Sequence, residues 1–220
     1  NLTAVNGLVF FSAAVEDEPP ARLWVSDSSA VGTRVVETDP AIENPRDLTA
    51  WEGGPGVQSM LVFNAAGGLY LSDGTSAGTY RFVSDDLSPR SPTPVGERVF
   101  FAGGSPNREL WVSQGAAGDA ERVLDIAPGE IGSHPQRLTA LGDRIVFSAD
   151  DGISGREMWV SDGTAAGTYR LRDIRPGTES SVRDDSFGAF VAATSDHVYF
   201  PADDGVSGEE LWRTDGTPEG

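Results

Sequence analysis

The string "REMWVSDGTAAGT" occupies residues 156–168, and "GGLYLSDGTSAGT" occupies residues 67–79. Looser copies read "ARLWVSDSSAVGT" at 21–33, "RELWVSQGAAGDA" at 108–120 and "EELWRTDGT" at 209–217. A string that returns five times in 220 residues is a unit of architecture before it is a site. The first residue of its apolar pair is Leu23, Leu69, Leu110, Met158 and Leu211, with gaps of 46, 41, 48 and 53. An upstream anchor, Phe11, Phe63, Phe101, Phe147 and Phe200, repeats with gaps of 52, 38, 46 and 53. Both series fall near the length of a four-stranded propeller blade, roughly 40–50 residues.

Each copy divides into four short runs of strand character. In the fourth these are "RLTALG" (137–142), "DRIVFSAD" (143–150), "REMWVSD" (156–162) and "TYRLRDI" (168–174), separated by the turn strings "DGISG" and "GTAAG". No segment carries three turns of helical periodicity. The expected fold is all-β: a β-propeller of four-stranded antiparallel blades in a single array over 1–220, at roughly 1–39, 47–86, 92–127, 137–174 and 188–220. The first copy begins at its innermost strand and the fifth stops before its outermost. The expectation is therefore four full blades and three strands of another, in a piece of a longer chain.

The turn letters have a structural reading. Trp24, Tyr70, Trp111, Trp159 and Trp212 fall at equivalent places in the third strand, where large rings pack between blades. Gly74, Gly163 and Gly216 permit positive φ, and Asp73, Asp162 and Asp215 before them can bond their own turn's backbone. The sequence therefore assigns these aspartates to architecture, not to catalysis.

"GREMWVSDGTAAGT", "GEELWRTDGT" and "GLYLSDGTSAGT", with "DIAPGEIGSHPQRLTALGDRIVFSADDGISG" between copies, resemble the ELWxxDGT-repeat proteins, large secreted or surface proteins of bacteria common among myxobacteria and their relatives. The resemblance runs the whole chain, and is weaker in the first and third copies, where DGT is lost. It implies a propeller-like repeat fold and an extracellular or cell-surface location, and no particular activity.

Composition narrows the partners. Thirty-four acidic against 16 basic residues give a net charge of -18, which repels nucleic acid and anionic lipid. No apolar run approaches the ~18 residues of a membrane helix. There is no cysteine, so disulfides and thiolate metal sites are absent. His134 and His197 fall in different repeats, a poor start for zinc. There is no G-x-S-x-G elbow or P-loop.

Divergence between copies marks the working surface. In a propeller blade the loop between strands two and three, and the connection to the next blade, share one end. There the copies differ: "AGGSPNRE", "ADDGISGRE", "ADDGVSGEE", and the connections "TDPAIENPRD" and "DIRPGTESSVRDDSFG". Acid concentrates in Asp150-Asp151, Asp203-Asp204 and Glu16-Asp17-Glu18. Asp-Asp-Gly followed by Ser-Gly-x-Glu has the hard oxygen ligands of half a calcium loop, which makes Asp150, Asp151, Asp203 and Asp204 calcium candidates. The competing reading is a capped hairpin in solvent. Glu157 and Glu210 read as edge residues of the third strand. Trp51, alone in an inner-strand position, is either a stacking platform for a sugar or a core filler.

The expected function is a non-enzymatic binding or scaffold module whose acidic loop face meets a protein or a glycan. A structural spacer or adhesin strengthened by calcium ranks second. A hydrolase or lyase working in the propeller funnel ranks third.

Overall fold

The two anchor series meet across a strand pair. Phe11 lies opposite Trp24, Phe63 opposite Tyr70, Phe147 opposite Trp159 and Phe200 opposite Trp212. Three such ring pairs stack, with centroids 6.1 Å apart for Phe11 and Trp24, 5.5 Å for Phe63 and Tyr70, and 6.4 Å for Phe101 and Trp111. Aromatic cross-strand pairs of this kind stabilise a sheet and fix its register.

The structure is a computed structural model describing residues 2–15, 18–53, 58–183 and 192–220. It is a β-propeller of antiparallel blades, each formed in chain order. The first blade holds β1 (Leu2–Val5), β2 (Leu8–Val15), β3 (Glu18–Ser26) and β4 (Arg34–Val35). The second holds β5 (Arg46–Trp51), β6 (Met60–Ala65), β7 (Gly68–Ser72) and β8 (Tyr80–Val83). The third holds β9 (Arg90–Val95), β10 (Arg98–Gly103), β11 (Glu109–Ser113) and β12 (Glu121–Arg122). The fourth holds β13 (Gln136–Leu141), β14 (Arg144–Asp150), β15 (Arg156–Ser161) and β16 (Tyr169–Arg170). The fifth has three strands, β17 (Ala192–Ala193), β18 (Val198–Asp203) and β19 (Glu209–Thr214). Helix among the described residues is limited to one 3-10 turn, Asp85–Leu87.

Outer strands are shorter than the sequence pattern predicts. The run 168–174 supplies strand only at Tyr169–Arg170. Leu171 adds one more bond, donating to the Met158 carbonyl at 2.9 Å. Beyond it the chain is drawn off the sheet, because the Ile174 amide bonds the Glu157 carboxylate instead of a neighbouring strand.

The chain packs as two compact units, Asn1–Val99 with Ser113–Ala120, and Phe100–Val112 with Glu121–Gly220. In the first, Phe10, Leu23 and Val25 of one blade pack on Leu61, Phe63 and Ala65 of the next. In the second, Val146, Met158 and Val160 pack on Val198, Phe200 and Ala202. Central strands are covered on both faces, so consecutive residues are buried: Leu61, Val62 and Phe63, and again Ile145, Val146 and Phe147, are all 0% exposed. That double burial explains why these strands read as continuous apolar runs and not as alternation.

Candidate ligand site

The SDGT turn is a closed net of hydrogen bonds. In the second blade Asp73 Oδ1 accepts the Thr75 amide at 2.8 Å and the Thr75 hydroxyl at 2.7 Å. Thr75 Oγ1 in turn accepts the Gly78 amide, and Thr79 Oγ1 donates to the Thr75 carbonyl. Buried Ser72 accepts the Gly74 amide and bonds Thr79. Asp162 and Asp215 cap Thr164 and Thr217 in the same way. The second glycine of the motif lies tight against the carboxylate: a Cβ on Gly78 would fall 2.1 Å from Asp73.

The first glycine has a different task. Gly74 has φ +90, and a Cβ there would meet Val25, Phe10 and Leu8 of the preceding blade at 3.2–3.4 Å. Its carbonyl accepts Arg34 Nη1 of that blade at 3.0 Å. Gly115 sits likewise on Trp51 and Leu71, and accepts the Tyr80 hydroxyl. Gly216 sits on Leu141 and Val160, and accepts Arg144 Nη1 and the Tyr169 hydroxyl. The turn thus clasps each of these blades to its predecessor. Copies that lose the letters rebuild the net. In the first, Ser28 takes φ 73 and Asp27 caps Ser29. In the third, Asp119 reaches back to bond Ser113 and the amides of Gln114 and Ala116.

Trp51 belongs to this clasp. It is 5% exposed, and its Nε1 donates to the Gly96 carbonyl at 2.8 Å. A buried ring under Gly115 has no face to offer a sugar, so the stacking-platform expectation is corrected to a core role.

The glutamate of the "ELW" string does more than hold an edge. Glu157 is 0% exposed. Its carboxylate accepts the amides of Ile174 and Arg175 and the Ser181 hydroxyl, the last at 2.6 Å. Glu109, also 0% exposed, accepts the amides of Ala127 and Ser133 and the Ser133 hydroxyl. Burial pushes both carboxyls above the usual range, although these donors pull the other way. Each glutamate pins the connector leading from its blade. The signal in the sequence was a serine at fixed distance, 24 residues after each glutamate. Glu210, the fifth-blade counterpart, is exposed.

At the same end as these glutamates, and opposite the SDGT turns, lie the acidic hairpins. Asp150 Oδ1 caps the Gly152 amide, and Asp151 Oδ1 accepts the amides of Ile153 and Ser154. The fifth blade repeats the pattern, with Asp203 on Gly205 and Asp204 on Val206 and Ser207. Asp151 faces Arg170 at 3.8 Å, and Asp203 pairs with Arg175 at 3.1 Å. The geometry is that of capped hairpins. Among the described residues no group of three or more acidic or histidine side chains could hold a metal ion. Glu16 and Asp17 lie outside the described residues, as does the side chain of Glu18.

Between the connector at 127–134 and the hairpin at 150–153 opens a cleft of about 630 Å³. Its walls include Glu130, Ile131, His134, Asp150, Asp151 and Ile153. Ile131 and Ile153 are 74% and 75% exposed, unusual for isoleucine. Arg156 underlies the cleft, its Nη1 donating to the carbonyls of His134 and Ser148 at 2.9 and 3.3 Å. Apolar walls with a few convergent polar groups are the composition of a ligand site. His197 stands apart, in the fifth blade, 3.2 Å from Asp196.

No family model and no curated protein sequence matches the chain. Solved structures do resemble it. A prolyl endopeptidase superposes with a TM-score of 0.62 at 13% identity, over 98% of this chain and 32% of its own. Prolyl oligopeptidase B from Galerina marginata gives 0.58 at 13% identity, over 99% and 31%. A puromycin-hydrolysing peptidase of Mycobacterium tuberculosis gives 0.51 at 13% identity, over 96% and 34%. The chain thus spans about a third of the length of these proteins. At such identity the likeness shows the fold alone, the β-propeller that the peptidases also carry.

Proposed function

We propose that this chain is a non-enzymatic binding and scaffold module, extracellular or at the cell surface, which meets a protein or glycan partner at the loop end of its blades. One observation carries the reading: the open, acid-and-isoleucine cleft between the third-blade connector and the fourth-blade hairpin. The scaffold half is supported by the clasped turns, which commit the repeated residues to holding blades together. The acidic surface, at -18 net charge, favours partners that bring positive charge. No helix among the described residues is long and apolar enough to cross a membrane.

The second blade supplies the test. Its β6–β7 hairpin turns tightly through Ala66 and Gly67. Replacing 151–155 by Ala-Gly should remove the cleft wall and leave the sheet standing. Wild type and replacement are compared on arrays of glycans and of neutral, acidic and basic peptides. The reading expects ligands that the wild type retains and the replacement loses. Equal binding by both proteins, or hydrolysis of an array member, would overturn it.

A further inference from the structure

The second unit contains two versions of one loop-end cleft, and they differ in what fills them. Two hydrogen-bond signatures align them. Ala127 and Arg175 each donate a backbone N–H to the buried glutamate of their blade, Glu109 and Glu157. Asp150 and Asp203 each donate a backbone N–H to a serine carbonyl, that of Ser133 and Ser181. Those two serines are the ones that bond the same glutamates. Ala127 therefore stands where Arg175 stands, Asp150 where Asp203 stands, and Ile131, four residues on, where Glu179 stands.

In the later cleft the position is occupied from within. Arg175 Nη1 lies 3.1 Å from Asp203 Oδ2, and Nη2 bonds the Glu179 carboxylate. The arginine stem runs past Gly205. In the earlier cleft a methyl group replaces that whole side chain, and the space is open. Asp150 keeps its cap on Gly152 but has no ion pair among the described residues. Glu130 adds a second carboxylate, and Ile131 and Ile153 offer apolar walls of the sort that cover an arginine stem. Asp151 is turned to Arg170, and Arg156 to backbone carbonyls.

We propose that this open cleft binds an arginine side chain of a partner protein, its guanidinium on Asp150 and its stem between Ile131 and Ile153. The chain's own Arg175 displays the arrangement in the sister cleft. Arginine is preferred to lysine because a planar fork can meet two carboxylates at once, as Arg175 meets Asp203 and Glu179. The assignment rests on the reading of the loop end as a binding surface.

A capped Gly-Gly-Arg-Gly-Gly peptide is titrated by calorimetry and by amide chemical shifts, with lysine and citrulline counterparts. The arginine peptide should bind most tightly, the lysine peptide more weakly and the citrulline peptide not at all. Asp150→Asn, which can still cap Gly152, should weaken the arginine peptide roughly tenfold or more, the scale of a lost bond to a charged group. Ala127→Arg should abolish binding by filling the cleft as Arg175 does, with an unchanged circular dichroism spectrum as the check on folding. Equal binding to wild type and both variants would mean diffuse attraction to the acidic surface and would overturn the assignment, as would no binding of any peptide. If the hairpin-sensitive ligands on the arrays are glycans or neutral peptides, the arginine assignment falls and the loop-end reading stands.

Discussion

At the turn end of the second blade, Asp73 sits in a net where the hydroxyls of Ser72, Thr75 and Thr79 all find partners inside the same eight residues. At the hairpin end of the fourth, Asp150 caps a single amide and then faces an open cleft. Both are aspartates followed by glycine within two positions. Only the first is surrounded by obligations. Repetition marks the residues that each blade needs to hold its neighbour, and divergence marks those that the sheet can spare.

That contrast can be broken most severely through the buried glutamates. Glu157→Ala should cost about 3 kcal/mol or more, because two amides and a hydroxyl lose their acceptor, each unmet group being worth roughly 1–3 kcal/mol. A urea midpoint unchanged by this substitution would show that the connector is not pinned there. Glu157→Gln gives a pH signature. Burial raises the folded-state pKa of Glu157, so as pH falls the folded state binds the proton before the unfolded state does. The wild type should therefore gain stability relative to Glu157→Gln from neutral pH down to the ordinary glutamate range, and the difference should level off below it.

The clasp is next in size. Gly74→Ala places a Cβ at positive φ and within 3.2–3.4 Å of three apolar side chains, and should cost about 1–3 kcal/mol. A cost near zero in a thermal melt would mean that the preceding blade yields freely. Asp162→Ala should cost less, about 0.5–2 kcal/mol, the worth of a capping bond. It should leave array binding as in the wild type, and a folded variant that binds nothing would place the function at the wrong end of the blade. The smallest expected effect is calcium's. With Asp151 and Asp203 paired to arginines, and no group of three acidic or histidine side chains placed to hold a metal ion among the described residues, the melting midpoint in millimolar calcium should equal that in sodium at matched ionic strength. A clear rise that Asp150→Asn removes would restore the metal.

The five-fold repeat, the four-strand pattern and the phenylalanine and tryptophan positions were legible because burial on both faces forces an unbroken apolar spelling onto strands such as Ile145–Phe147. The capping role of Asp162 was legible because turn chemistry is local. The place of Glu157 at the start of the third strand was legible, but its burial was not, since its partners lie 17 to 24 positions away and a carboxylate at a strand start reads as exposed. Trp51 was ambiguous for the same reason. Its surroundings, Gly96 and Gly115, belong to the next blade's letters. The cleft could not be read at all, because it is defined by a side chain that Ala127 lacks.

The clasps also carry a direction. Gly74 rests on Leu8, Phe10 and Val25, Gly115 on Trp51 and Leu71, and Gly216 on Leu141 and Val160. In every case the seat precedes the glycine in the chain. A ribosome releases the N-terminal side first, at roughly 5–20 residues per second. Each seat has thus left the ribosome before its glycine is made, and the turn can latch on arrival. Each of these three clasps therefore needs only residues that are already made when its glycine is added, and none of them depends on a later segment.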